Sequence, residues 1–132
     1  MQLSPIFDVA GPGLVIGLLA FGVVFIFLLF LLIVLVEMVA LQLLRWGDFK
    51  ASLKAAVWMN LASTLLGLVL LWLVPALGLL GIAIAWALSV LIEWLVLMRL
   101  HPGENRRNLM LAAVANLASY GLLIVPSYLL SS

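Results

Sequence analysis

Long uncharged stretches alternate along this chain with short charged ones. No charged residue occurs from Val9 to Val36, from Ala55 to Ile92 or from Asn108 to Ser132. A helix crosses the hydrocarbon core with about 20 residues, so the middle stretch is long enough for two helices, and Pro75 with Gly78 marks the turn between them. The pattern predicts four transmembrane helices at about 14–44, 51–74, 78–100 and 108–129.

The first predicted helix is longer than one crossing requires. Tilt, a break, or an extension past Glu37 into the cytoplasm would each account for the extra length. Ahead of it, the Gly11-Pro12-Gly13 sequence is typical of a helix breaker. Residues 1–12 are therefore expected to form a short surface segment that leads into the helix.

Composition places the chain in the membrane. Hydrophobic residues make up 68% of the 132 positions and charged residues 8%, whereas soluble domains have about 45–50% and about 25%. So few charges cannot cover a water-soluble core, and the lipid bilayer is the expected surrounding. The prediction is an all-α integral membrane protein with one membrane domain over residues 1–132.

The basic residues predict the orientation. All six flank the first and third predicted loops: Arg45, Lys50, Lys54, Arg99, Arg106 and Arg107. By the positive-inside rule these loops are cytoplasmic, in contact with lipid headgroups, and both termini are on the other side. The expected location is the inner membrane of a prokaryote.

An internal repeat relates the two halves of the chain. Residues 37–66 and 93–122 align without gaps and agree at eleven of thirty positions, including Glu37 with Glu93 and the shared tetrapeptide Asn-Leu-Ala-Ser at 60–63 and 116–119. Each half contains two crossings, so the copies have the same orientation. This predicts two parallel-repeat helical hairpins, about 14–74 and about 78–130, related by an axis along the membrane normal.

The repeat also predicts a polar cluster. Glu37 precedes Asn60 by 23 residues, Glu93 precedes Asn116 by the same number, and both pairs are centred on a short loop. Residues equidistant from a tight turn lie at the same depth in antiparallel helices, so each Glu is expected beside its Asn. Ser63 and Ser119 follow three residues later on the same helix faces.

Two functions fit this cluster. A carboxyl group in the hydrocarbon is costly unless it is neutralised or hydrogen-bonded. The six residues Glu37, Asn60, Ser63, Glu93, Asn116 and Ser119 therefore form either a hydrogen-bonded clasp between helices or a site for a proton or ion. The first interpretation gives a structural or accessory subunit that packs in a larger membrane assembly. The second gives a small oligomeric proton- or cation-handling transporter or channel.

Other chemistry lacks support in the sequence. There is no Cys, no phosphate-binding glycine loop, no metal-ligand spacing and no Ser-His-Asp set. We therefore expect no enzymatic activity, no cofactor, no metal and no nucleic-acid partner. The expected partners are lipid and other membrane subunits, or further copies of the chain.

Overall fold

The computed structural model describes the backbone of residues 6–131 and the side chains of residues 13–130. Within these residues the chain is all-helical, with no strand. Four of the described helical segments are long and apolar enough to cross a membrane: Gly13–Leu43, Phe49–Val69, Leu79–Leu100 and Asn105–Leu130. The all-α fold with four helices able to span a membrane is therefore confirmed.

The first helix, α1, extends without a break over Ile6–Leu43. The expectation that the chain would enter it only after Pro12 was wrong for residues 6–12, which are already helical; residues 1–5 lie outside the described part. Proline and glycine are tolerated in membrane helices because other groups satisfy the freed backbone atoms. The extra length of α1 is thus not explained by a break.

The chain divides into two compact units between Leu32 and Ile33. In the first unit, the side chains from Leu14 to Leu28 are apolar and almost all exposed, and the rings of Phe21 and Phe25 stack with centroids 6.5 Å apart. Such a surface requires an apolar environment. The second unit contains the end of α1 and all later helices.

The first loop is a compact helix stop followed at once by a helix start. Arg45 has a left-handed backbone (φ 55°), and the Trp46 N–H donates to the Leu41 carbonyl at 3.0 Å, as in the Schellman motif. Asp48 then caps the second helix, α2 (Phe49–Val69), by accepting from the Ala51 N–H at 2.7 Å. The loop is therefore a tight turn, as is required for Glu37 and Asn60 to lie at the same depth.

The second crossing ends earlier than the expected residue 74. After α2 a turn leads into a five-residue helix, α3 (Leu73–Leu77), and then into α4 (Leu79–Leu100). Pro75 lies within α3, and Gly78 makes the turn with φ 57°, a backbone conformation that favours glycine. The expected turn is thus present, with one short helix built into it.

Gly81 allows α4 to pass directly against the backbone of α3. A Cβ added there would lie 2.5 Å from the Leu73 carbonyl oxygen. We expect Gly81→Ala to lower the free energy of unfolding by about 1–3 kcal/mol, the usual cost of overpacking. Unfolding of the detergent-solubilised protein by a denaturing detergent measures this.

Gly67→Ala in α2 is the matched control, since an added Cβ there has no neighbour within 4 Å. Alanine favours a helix over glycine by about 1 kcal/mol, so this variant should be as stable as the parent or more so. Equal effects of the two substitutions would contradict the close contact between α3 and α4.

The last crossing contains a widened turn that the sequence pattern did not predict. Helix α5 covers Asn105–Ser119, a π-helical segment covers Tyr120–Ile124, and α6 covers Val125–Ser131. Pro126 has no N–H to donate and its ring clashes with an α-helical carbonyl four residues earlier. A π-helical turn just before a proline relieves that clash, and such turns are frequent at functional sites.

Candidate functional site

Two buried carboxyl groups lie at the centre of the second unit. Glu37 on α1 and Glu93 on α4 are each 1% exposed. The Asn60 amide of α2 donates to Glu37 Oε2 at 2.6 Å, and the Asn116 amide of α5 donates to Glu93 Oε2. The structure thus brings each Glu to the Asn that lies 23 residues later.

The two serines connect these pairs crosswise. Ser119 Oγ on α5 donates to Glu37 Oε1 at 2.8 Å, and Ser63 on α2 lies near the Glu93 carboxylate in the wall of a shared cavity. Glu37 therefore has hydrogen-bond partners on both α2 and α5, and Glu93 has its partner on α5. Sequence spacing predicted the depth of the serines but not that each would meet the Glu of the other helix pair.

Both serines also bond within their own helix. Ser63 Oγ donates to the Asn60 carbonyl at 3.3 Å and Ser119 Oγ to the Asn116 carbonyl at 3.1 Å. The Asn60 amide likewise donates to the Ala56 carbonyl at 2.9 Å. These local bonds fix the orientation of the side chains that meet the carboxyl groups.

Neither carboxyl group has a basic partner. Among the described side chains, residues 13–130, the one ion pair joins Arg107 and Glu104, at 2.9 Å and in an exposed position. Glu37 and Glu93 instead repel each other electrostatically when both are charged. The described side chains offset the cost of burying these charges only by hydrogen bonds from neutral donors. Two buried negative charges need a proton or a cation in addition.

A cavity of about 120 Å³ adjoins both carboxyl groups. Sites of this kind hold water when they are polar, and one water occupies about 30 Å³ of liquid, so the cavity has room for several. Ser89 Oγ and the Tyr120 hydroxyl form a hydrogen bond of 3.2 Å in its wall. The lining residues are Ile33, Glu37, Asn60, Ser63, Thr64, Ser89, Glu93, Asn116, Ser119, Tyr120 and Ile124.

The cavity extends from the carboxyl groups away from the two basic loops. Ile33 and Ser89 come one helical turn before their Glu residues, and Thr64 comes one turn after Asn60, on the side away from the loops. Ile124 is the last lining residue and lies in the π-helical segment. Thr64 is exposed, so this side of the cavity borders the surface.

On the side towards the basic loops, the carboxyl groups are closed in by apolar packing. Leu41 and Leu97 follow the two Glu residues by one turn and have no exposed surface. Ala56 and Ala112, which precede the two Asn residues by one turn, are also fully buried. The polar cluster is therefore at the blind end of a cavity that approaches it from one side.

The six basic residues predicted at the loops are all exposed: Arg45, Lys50, Lys54, Arg99, Arg106 and Arg107. Arg107 Nη2 donates to the Arg45 carbonyl at 2.9 Å, and the rings of Trp46 and His101 lie 5.2 Å apart. These contacts bring the first and third loops together at one end of the unit. None of the six side chains contributes to the Glu–Asn–Ser cluster.

Sequence reasoning missed a second buried polar contact, below these loops. Asn108 is fully buried, accepts from Trp46 Nε1 at 3.1 Å and donates to the His101 carbonyl at 2.9 Å. A signal was present, because Asn108 aligns in the repeat with Ser52, another polar residue on the first turn of a helix and equally buried. Tyr120, which lines the cavity, was also missed as a site residue.

The ligand chemistry of the cluster is limited to oxygen atoms. No group of three or more His, Cys, Asp or Glu that could hold a metal ion occurs in the described part of the chain. Carboxylate, amide and hydroxyl oxygens suit protons, water and hard cations. Comparison with models of protein families, with curated proteins and with solved structures finds no match to this chain.

Proposed function

We propose that this chain is a small integral membrane protein that takes up protons, or a small monovalent cation, at Glu37 and Glu93. The observation that carries the proposal is that two buried carboxyl groups without a basic partner adjoin one polar cavity. Intramembrane acids in such positions serve ion pathways and proton relays. The activity is that of a small transporter or channel, without an enzymatic step.

The hydrogen bonds suit a site that is alternately loaded and empty. Burial and the mutual repulsion of the two acids oppose their charge, while the amide and hydroxyl donors stabilise it. A proton or cation relieves the repulsion, and its release leaves carboxylates that still have donors. Opposing effects of this kind allow exchange, whereas a fully apolar pocket would hold the acids permanently neutral.

Transport also needs access from both sides. The cavity reaches the acids from one side only, and fully buried Leu41 and Leu97 close the other. We propose that a second conformation opens the apolar side, as alternating access requires. Four helices enclose little space, so we also propose that the working form is an oligomer.

Flux through liposomes tests the proposal. The purified chain is reconstituted with a pH-sensitive dye inside, and a pH gradient is applied with and without gradients of Na⁺ or K⁺. We expect the gradient to collapse faster than in protein-free liposomes. Collapse at the protein-free rate under every ionic condition contradicts the proposal.

A second candidate function is a structural or accessory subunit of a larger membrane assembly. The cluster supports it directly, because its hydrogen bonds link α1, α2, α4 and α5. The apolar, exposed stretch from Leu14 to Leu28 also suits a protein partner in the membrane. Purification from native membranes with a larger protein in fixed stoichiometry, combined with no flux, would favour this function.

We propose further that the chain is a duplicated hairpin with both basic loops in the cytoplasm, in the inner membrane of a prokaryote. The equal spacing of the two Glu–Asn contacts, 23 residues in each, supports the duplication. The proximity of Arg45 and Arg107 supports a common side for the two loops. Single cysteines at Gly47 and Gly103 should react with a membrane-impermeant reagent only after cells are opened, whereas one at Ser132 should react in intact cells.

A further inference from the structure

A second cavity lies on the outer surface between α2 and α4, remote from the acids. It measures about 330 Å³, and Trp58, Leu61 and Leu65 of α2 form one wall with Val96 of α4 opposite them. The single charged group in its lining is Arg99, in the last turn of α4. The groove is therefore apolar along its length and cationic at one end.

The register of the two helices gives the direction of the groove. Ser63 lies near the Glu93 carboxylate in the wall of one cavity, so these positions lie at about the same depth. The helices are antiparallel, and Arg99 is therefore level with the region of Trp58, near the basic end. Leu65 lies about 10 Å deeper, at 1.5 Å of rise per residue. The groove thus extends from an interfacial cation towards the middle of the bilayer.

Arg99 is free to bind an anion. It is exposed, and the one ion pair among the side chains of residues 13–130 does not include it. The nearest acid along α4, Glu93, is buried and directed to Asn116. A guanidinium group offers a fork of donors that matches phosphate oxygens, and long basic side chains extend from an apolar surface to the headgroup region.

We propose that this groove binds one anionic phospholipid, with an acyl chain along Leu61, Leu65 and Val96 and the headgroup phosphate at Arg99. The charge at the interfacial end and the apolar lining along the bilayer normal match the two parts of a phospholipid. A cavity of about 330 Å³ has room for roughly ten groups of the size of water or methylene, at about 30 Å³ each. An apolar partner helix would fill the lining but leave the cation without a counter-charge.

Lipid retention tests this inference independently of flux. The full-length chain in neutral detergent is mixed with equal amounts of phosphatidylglycerol and phosphatidylcholine that carry the same acyl chains, and retained lipid is counted by native mass spectrometry. We expect phosphatidylglycerol to be retained about fivefold over phosphatidylcholine, since one basic residue near the surface favours anionic lipid by about that factor.

Matched variants separate this site from general attraction to positive charge. Arg99→Gln should abolish the preference and Arg99→Lys should keep part of it, whereas Arg106→Gln, which removes an equally exposed charge outside the groove, should leave it unchanged. Ala62→Phe, which fills the groove, should lower retention of both lipids. The proposal is overturned if the preference for phosphatidylglycerol survives Arg99→Gln, or if Arg106→Gln removes it equally. It is also overturned if the mass spectrum shows a bound partner protein in place of lipid.

Discussion

Replacing Glu37 and Glu93 together with glutamine will reduce ion flux in liposomes to the rate of protein-free vesicles. Glutamine has nearly the same shape and keeps an oxygen that accepts from Asn60 and Asn116, the amides that now meet the carboxyl groups. It cannot take up or release a proton in the accessible pH range, and it offers no charge to a cation. The two single variants should each lose most of the flux, because the pair adjoins one cavity.

The control for this experiment is Glu104→Gln. Glu104 is an acid of the same kind, but it pairs with Arg107 on an exposed loop. Its removal should leave flux unchanged. If the double variant keeps both its helix content and its flux, the proposal that these acids handle protons or cations is wrong. If Glu104→Gln loses as much flux as the double variant, the loss reflects a general effect of charge.

Replacing Asn116 with leucine will destabilise the protein more than replacing Asn116 and Glu93 together. Asn116→Leu removes the hydrogen-bond donor of a residue that is 1% exposed, which leaves a buried carboxyl oxygen undersatisfied. Loss of one partner of a buried pair costs about 1–3 kcal/mol, whereas replacement of both by apolar groups of similar shape is nearly neutral. We therefore expect Glu93→Met to recover most of the loss caused by Asn116→Leu.

Steric trapping or denaturing-detergent titration of the single and double variants measures this coupling. The corresponding pair, Glu37→Met and Asn60→Leu, should behave in the same way, because it makes the same contact. If the stability changes of the two single variants simply add in the double variant of either pair, the hydrogen bond contributes nothing to stability. If the Glu and Asn of each pair are coupled in stability but the protein carries no ion flux, the cluster is a clasp between helices, as in a structural or accessory subunit.

The depth of the cluster could be predicted from sequence because tight loops transfer register from one helix to the next. Asp48 caps α2 directly after the left-handed turn at Arg45, so positions equidistant from that loop do meet. This is why Glu37 lies beside Asn60. The cross-contact from Ser119 to Glu37 spans 82 residues and depends on how the helix pairs pack, which loop geometry does not determine.

The start of α1 and the end of the last crossing were harder to predict for a different reason. In both places a proline, Pro12 or Pro126, lies inside continuous helix. Sequence rules treat proline as a helix boundary because it has no N–H, and a backbone carbonyl one turn earlier loses its partner. In water that carbonyl is easily hydrated, so the helix can end there. In a membrane that alternative is costly, so the helix continues through the proline and adjusts locally.

The π-helical segment at Tyr120–Ile124 accommodates one more residue than an α-helix of the same rise. One residue corresponds to about 100° of rotation. A helical wheel drawn from Asn105 through Ser131 therefore assigns the wrong faces to everything after Ile124. In evolutionary terms the segment marks where a single-residue insertion can be absorbed in a long helix, turning its C-terminal part while the N-terminal part keeps Asn116 and Ser119 on the acids.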